Sequence, residues 1–345
     1  MDQLRSLWLK RELRMVSNTV NAPAIQVSGL TKVFRTYKKQ PGLIGAMRGL
    51  FYREYSEMRA VDSVSFQIQE GEFVGFLGPN GAGKTTMLKM LSGLVQPSSG
   101  EASVLGFTPW ERRDAMKRQF ALLMGQKNAL WWDLPARESL ELNRVIYGIE
   151  KNRFTAVVEE LTALLDVADK LDVMVRELSL GERMKMELIA ALLHSPRVLF
   201  LDEPTIGLDV TSQKRVREFL KRHNQVSGVT TLLTSHYMGD IEELCQRVII
   251  IDHGKLFFDG PLTSIVDRFS AHKVLHLTFS REVDGRFEGL GEVLESSALS
   301  VRLRVQRTRV ADVCREALAV WPVSDLAVTE VSVEEVIRQL FDAAR

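Results

Sequence analysis

The sequence predicts an α/β fold with a small α+β unit appended towards its C-terminal end, and three observations predict it. Short apolar runs such as Phe73-Val74-Gly75-Phe76-Leu77, Val198-Leu199-Phe200-Leu201 and Val248-Ile249-Ile250-Ile251 read as buried strands. Between such runs, apolar residues recur at three- and four-residue steps, as in Met184, Leu188, Ala191 and Leu192, which is helical spacing. Finally, the first of these strands passes through Gly78-Pro79-Asn80-Gly81-Ala82-Gly83-Lys84-Thr85 into a helix carrying Met87, Leu88 and Leu91. That stretch fits G-x-x-x-x-G-K-[ST] in the strand–turn–helix frame the motif requires.

The chemistry of this turn is phosphate binding. A polyphosphate needs many close donors, and glycines let backbone N–H groups approach without a Cβ in the way. The helix N-terminus adds its dipole. Lys84 supplies a point charge for the β- and γ-phosphates, and the Thr85 hydroxyl, followed by Thr86, can ligate Mg²⁺.

Size and composition bound the rest. A chain of 345 residues suits two domains, or one large domain with an appendage. Its 45% hydrophobic and 26% charged residues are ordinary for a soluble protein. A formal net charge of +1 makes no electrostatic case for nucleic acid as a partner. Cys245 and Cys314 lie far apart without metal-ligand spacing, which suits a reducing compartment. No uncharged apolar run approaches the ~20 residues that span a bilayer. Residues 1–24 read as an N-terminal extension; Met1–Met15 mixes Leu4, Leu7, Trp8 and Leu9 with Lys10, Arg11 and Arg14 and lacks the pattern of a signal peptide.

In chain order, Ile25–Leu30 alternates as a strand and continues towards Phe34. Phe34 or Tyr37 would suit stacking on a purine; the competing reading is a core strand residue. Across 38–59, Leu43, Ile44, Met47, Leu50, Phe51, Tyr55 and Met58 form a helical apolar stripe among basic residues, predicting an amphipathic helix for a membrane surface, a partner, or its own domain. Val61–Ile68 alternates as a strand. Pro97-Ser98-Ser99-Gly100 reads as a turn. Gln126, after the apolar run Phe120–Met124, is a candidate to touch Mg²⁺ and the attacking water. Trp131-Trp132 is expected to pack locally, with anchoring of a partner as the alternative. Ser139–Ile149 and Thr155–Leu165 read as helices. Ser179 and Glu182 form a capping box, so Ser179 sits at a helix N-terminus, an anion site by construction.

Val198–Leu201 ends in Asp202-Glu203-Pro204, a Walker-B pattern: Asp202 would hold Mg²⁺ and Glu203 would polarise water. Gly207-Leu208-Asp209 precedes a charged helix from Thr211. Thr230–Ser235 is a strand ending at His236, within reach of a γ-phosphate. From about Ser270 the pattern changes. Val274–Phe279, Leu299–Val305 and Leu326–Val331 alternate as half-exposed strands, and Val310–Val320 and the segment after Ser332 read as helices, with no chemical motif. This tail reads as regulatory or dimer-stabilising.

The ordered set resembles the ATP-binding cassette (ABC) ATPases, in particular the cytosolic subunit of a bacterial exporter, over roughly residues 25–260. The resemblance implies a RecA-like core with a helical subdomain and an antiparallel β subdomain: a nucleotide-binding domain over 25–265, a helical subdomain at about 127–195 and an accessory domain over 270–345. It implies a Walker A at Gly78–Thr85 for ATP and Mg²⁺, Gln126 as the Q-loop glutamine, and Leu178-Ser179-Leu180-Gly181-Glu182 as the signature. It further implies catalytic Glu203, a D-loop Asp209, a switch histidine at His236 and Phe34 at the base-stacking position. Thr85, Gln126 and Asp202 would serve the metal. The signature departs from L-S-G-G-Q at Leu180 and Glu182 but keeps Ser179 and Gly181, the pair expected at a γ-phosphate. Such ATPases work as two facing copies. The implied partners are therefore a second copy or a paralogous subunit, plus separate membrane permease subunits, with the chain on the cytoplasmic face of the inner membrane. The alternative is a soluble ABC ATPase of translation or DNA metabolism; such proteins carry two cassettes or a coiled-coil insertion, which this sequence lacks. A P-loop kinase or GTPase would lack the signature segment and His236.

Overall fold

The computed structural model describes residues 22–37, 55–125, 129–269, 272–283, 287, 289–331 and 335–337. They form two compact units, Met1–Asp259 and Gly260–Arg345.

The first unit is built on a six-stranded sheet in the order β5-β6-β7-β3-β8-β9. These are Phe120–Met124 (β5), Val198–Asp202 (β6), Thr230–Thr234 (β7), Phe73–Leu77 (β3), Arg247–Asp252 (β8) and Lys255–Pro261 (β9). Pairing from β5 through β8 is parallel. Every residue of β3, β6 and β7 is buried, as expected for parallel strands covered on both faces, and this is why their runs are apolar without alternation. The register sets Asp202 beside Thr234, so the carboxyl ends of β6 and β7 lie level. Ligands of such sheets bind outside those ends.

A three-stranded antiparallel sheet, β2-β1-β4, comprises Ile25–Tyr37 (β1), Tyr55–Ile68 (β2) and Ser99–Val104 (β4). It shares one apolar core with the parallel sheet: Val27, Leu30, Phe66 and Ile68 pack with Phe76, Phe200, Met87 and Leu91. The helix expected over 43–58 is corrected at its end. Tyr55–Arg59 is strand, pairing with Val33–Tyr37 of β1, and the remainder of the stripe lies outside the described residues. Ser99-Gly100 likewise belongs to β4 rather than to a free turn. Gly100 has φ +85, and a Cβ there would sit 2.3 Å from the Gly29 carbonyl oxygen, so this close strand approach needs glycine.

Helix α1 (Lys84–Leu91) follows β3. Helices α2 (Ala136–Tyr147) and α3 (Lys151–Leu165) are separated at Gly148, which has φ +66. Glu150 caps α3, accepting from the Asn152 and Arg153 N–H groups. Helix α4 (Leu180–Leu192) is buried over most of its length, α5 spans Val210–Ser227 and α6 spans Met238–Leu244. The expected local packing is only partial: Trp131 is 57% and Trp132 44% exposed, with the Arg183 guanidinium 5.5 Å from the Trp132 ring.

The second unit contains α7 (Leu262–Phe269) and a four-stranded antiparallel sheet, β11-β12-β10-β13. Its strands are Glu292–Ser296 (β11), Ser300–Gln306 (β12), His272–Phe279 (β10) and Val323–Glu330 (β13). Leu275, Leu277, Val301, Leu303 and Val305 from one sheet face pack against Val313 and Ala317 of α8 (Val310–Val320). β11 was not foreseen because all five residues are exposed and carry no burial pattern.

Two histidines of the first unit link the fold to pH. His223 stacks on Phe219, ring centroids 5.7 Å apart, and burial lowers its pKa from 6.5 to about 4. His194 stacks on Tyr147 at 4.0 Å, and burial lowers its pKa too. The unfolded chain takes up these protons near pH 6.5 and the folded chain only at lower pH. The stability held by the neutral rings is therefore complete above that value and is lost as pH falls below it, for His223 down to about 4. Urea midpoints are expected to drop on acidification below pH 6.5, with an upper bound of about 1.4 kcal/mol per pH unit for each ring. Screening at these half-buried rings reduces that bound. His223→Gln should flatten part of the slope; an unchanged slope would remove His223 from the account.

Candidate nucleotide site

The turn between β3 and α1 is shaped by backbone contacts. Gly83 caps α1 with φ +104, and a Cβ there would fall 2.2 Å from the Ala60 carbonyl oxygen of β2. At Gly78 a Cβ would fall 2.4 Å from the Ile251 oxygen at the end of β8. Sequence reasoning assigned these glycines to donor access alone; the structure adds a steric reason. The Ala82 N–H donates to the Pro79 carbonyl (3.1 Å), Gly254 N–H to Ala82 (3.1 Å) and Asp62 N–H to Gly254 (2.8 Å), so β2 and the β8–β9 turn brace the loop. Asn80 and Gly81 are exposed, and Thr85 and Thr86 are half-buried. No side chain caps α1 and its first turn holds no acid, which leaves its N–H groups to an external anion.

Lys84 is only 6% exposed, and its Nζ donates to the Gly78 (2.6 Å) and Pro79 (3.1 Å) carbonyls. Burial lowers its pKa; Glu203 and Asp202 oppose that shift. Asp202 closes the other side. Its Oδ1 accepts from Thr234 Oγ1 (2.7 Å) and from Thr85 Oγ1 (3.3 Å). Glu203 has φ +55, and its N–H donates to the Thr234 carbonyl (3.0 Å) and hydroxyl (3.2 Å). His236 Nε2 lies 2.9 Å from Glu203 Oε1. A Cβ at Gly125 would fall 2.2 Å from the Glu203 oxygen, so the segment leading to Gln126 runs against Glu203; Gln126 itself lies outside the described residues. Lys84, Thr85, Asp202, Glu203 and His236 therefore form one cluster at the carboxyl ends of the parallel strands. Thr234 is a member that sequence reasoning overlooked, although its place at the end of an apolar strand directly before Ser235-His236 was a signal.

A second cluster forms where α4 and α5 begin. The capping box is present: Glu182 N–H donates to Ser179 Oγ (3.3 Å), and Ser179 N–H donates to Glu182 Oε2 (2.9 Å). The Ser179 hydroxyl also donates to Glu182 Oε2 (2.8 Å), and the Lys170 ammonium stands 3.3 Å from Oε1. The Ser179 bonds, backbone first, and then Lys170 hold the Glu182 pKa below the usual carboxylate range. Lys170 lies twelve residues upstream with no local pattern to mark it. Asp209 caps α5, accepting from the Thr211 and Ser212 N–H groups at 3.0 Å. Gly181 lies against that cap; a Cβ would fall 2.7 Å from Ser212 Oγ. Apart from Gly181, these residues line a cleft of about 440 Å³ together with Asp166, Asp169, Lys185 and Arg215. Among the described residues no hydrogen bond or ion pair joins this cluster to the first. Phe34 is half-buried in β1, in register with Met58 of β2, with the Lys32 ammonium 5.2 Å from its ring.

Comparisons with known proteins agree with this architecture. An ABC transporter family model matches residues 61–206, and the model of an EvrA-like ABC transporter C-terminal domain matches residues 271–329. The ABC transporter ATP-binding protein NatA of Bacillus subtilis (strain 168) is 35% identical over 228 residues, covering 66% of this chain and 92% of that protein. The Nod factor export ATP-binding protein I of Burkholderia thailandensis is 37% identical over 215 residues, 62% of this chain and 70% of that protein. A solved dimeric ATP-binding cassette in a post-hydrolysis state, bound to ADP and phosphate, superposes with a TM-score of 0.58 at 22% identity. That match covers 69% of this chain and 98% of the other and speaks to the fold. With NatA aligned over nearly its whole length, this chain belongs to the ATP-binding proteins of ABC transporters and is an ATP-binding, ATP-hydrolysing subunit.

Proposed function

We propose that the chain powers an export-type ABC transporter as one half of a nucleotide-sandwich dimer, docked on separate membrane permease subunits at the cytoplasmic face. The observation that carries this reading is the division of the site into two clusters. The first has a phosphate cradle, a lysine and two acids. The second has a helix N-terminus exposed at Ser179 and Leu180, with Gly181 buried beside them, and no phosphate cradle of its own. Each supplies what the other lacks, so two antiparallel copies would complete two sites. The relatives named for Nod factor export, linearmycin resistance and bacitracin transport support the direction.

In this reading Lys84 and the free N–H groups of α1 hold the β- and γ-phosphates, and Phe34 stacks on the base. The buried ammonium, bonded to two carbonyls in a loop where Gly78 and Gly83 leave no room for a Cβ, fits an anionic ligand. The Thr85 hydroxyl and Asp202 carboxylate, hard oxygen donors 3.3 Å apart, fit Mg²⁺, with Gln126 as a further ligand. Bound Mg²⁺ would neutralise charge developing on the phosphates. Glu203 is the general base for the attacking water, with its backbone fixed by Thr234. His236, in contact with Glu203, faces the γ-phosphate and orients that carboxylate. Ser179 and Gly181 of the facing copy donate to the γ-phosphate, and Asp209 shapes that surface by capping α5.

Exposed apolar side chains offer the permease surface. Trp131, Trp132, Leu142, Val145 and Ile146 flank the start and outer turns of α2, with Val145 62% and Ile146 64% exposed. Apolar exposure of this density marks contact sites. Coexpression with a candidate permease subunit tests the assignment: Val145→Asp with Ile146→Asp should lose co-purification while ATP binding persists. Retention of the complex by the double variant would move the docking surface elsewhere.

A further inference from the structure

Beneath the first cluster lies a buried carboxylate that the mechanism above does not use. Asp240, on α6, is 0% exposed. Its Oδ2 accepts from Ser235 Oγ (2.6 Å) and from Thr205 Oγ1 (2.5 Å). Its Oδ1 accepts from Arg217 Nη1 on α5 (3.2 Å), and Arg217 Nε also donates to Glu243 (2.7 Å). Thr205 is itself 1% exposed and lies two residues beyond Glu203; Ser235 immediately precedes His236. The Ser235 hydroxyl oxygen in turn accepts from the Tyr237 N–H (3.0 Å), fixing the backbone on the far side of His236.

One carboxylate thus joins three segments: the chain leaving Glu203, the loop carrying His236, and the helix that Asp209 begins. Burial of an unpaired carboxylate is costly, and here two hydroxyls and a guanidinium satisfy it. The hydrophobic core needs no ionic group at this point. What the group fixes is the relative placement of two strand ends whose side chains meet at 2.9 Å. We infer that Asp240 is a positioning residue for hydrolysis, which holds the Glu203 and His236 loops in the spacing that turnover requires and ties that spacing to α5. The inference rests on the proposed roles of Glu203 and His236.

A shift of about 1 Å at a general base costs on the order of tenfold or more in rate, whereas ATP binding by Lys84 and α1 does not depend on this spacing. The signature of the role is therefore a fall in kcat at constant KM for ATP. Asp240→Asn removes the charge and leaves Arg217 with Glu243 alone. Since that variant also endangers folding, Thr205→Val provides the cleaner test: it keeps the volume and the Asp240–Arg217 pair and removes one tether. Steady-state ATPase of the full chain, at a temperature where the variant is fully folded, should show kcat reduced at least about tenfold in Thr205→Val with KM close to the parent, the melting temperature falling because the buried carboxylate loses a donor, and Thr205→Ser should restore turnover. Parent-like kcat in Thr205→Val, or a loss that Thr205→Ser does not recover, overturns the proposal. Glu203→Gln and His236→Ala run alongside separate the two levels: if those also turn over normally, the roles of the cluster fall, and if they alone are impaired, only the tether falls.

Discussion

Glu203→Gln is expected to lower ATP turnover by about 10²- to 10⁴-fold while ATP remains bound, the range a positioned general base supplies. The substitution is nearly isosteric, and the features that place the residue are backbone features: φ +55, the N–H bonds to Thr234, and the contact of Gly125 with its carbonyl. None depends on the carboxylate. What disappears is a proton acceptor 2.9 Å from His236. Binding should persist because Lys84 and Thr85 are unaltered, and it should tighten modestly because an anion near Lys84 has been removed. In the two-copy reading, ATP then holds the copies together, so size-exclusion chromatography with ATP should show a dimer that the parent does not accumulate. Hydrolysis at the parent rate would show that another group activates the water, and His236 would become the first candidate.

The parts of the fold that were legible in the sequence are those whose determinants are contiguous. β3, the glycine turn and α1 follow one another without interruption, and Asp202-Glu203 ends a strand whose apolar run is self-evident. The cap of α4 needs only Ser179 and Glu182, three residues apart. The illegible parts depend on distant partners. Tyr55–Arg59 has helical spacing, but pairing with Val33–Tyr37 decides its conformation. Ser99-Gly100 carries turn residues, yet β1 recruits them to a sheet edge. Lys170 belongs with Glu182, and Asp240 with Thr205 and Arg217, thirty-five and twenty-three residues away, and no local pattern announces either grouping. The tryptophan pair departs from expectation for a different reason: base rates favour burial of such rings, and here both stay largely exposed, as the proposed docking surface requires.

Gly181→Asp addresses the second cluster with an expected loss of ATPase on the order of 10²-fold, the scale of losing electrostatic stabilisation of developing charge: the backbone N–H remains, and the added carboxylate opposes it. The new side chain begins 2.7 Å from Ser212 Oγ and 3.8 Å from Asp209 Oδ2, so its carboxylate joins Asp209 and Glu182 on the surface proposed to face phosphate. An acid in the first turn of α4 suits the helix dipole, but Gly181 is buried and its new Cβ requires Ser212 Oγ to turn away, so circular dichroism and melting temperature of the variant are read beside its ATPase. ATP binding by the same copy should be unchanged, since Lys84 and α1 belong to the other cluster. Lys84→Ala has the complementary defect: its signature surface is intact and its cradle lacks the ammonium. Mixing the two inactive proteins then decides how the site is assembled. If each ATP lies between the cradle of one copy and Ser179 of the other, a mixed dimer contains one intact site, and equal mixing should return about a quarter of the parent activity. If the cradle and the acids of a single copy sufficed, Gly181→Asp alone would remain active and mixing would add nothing.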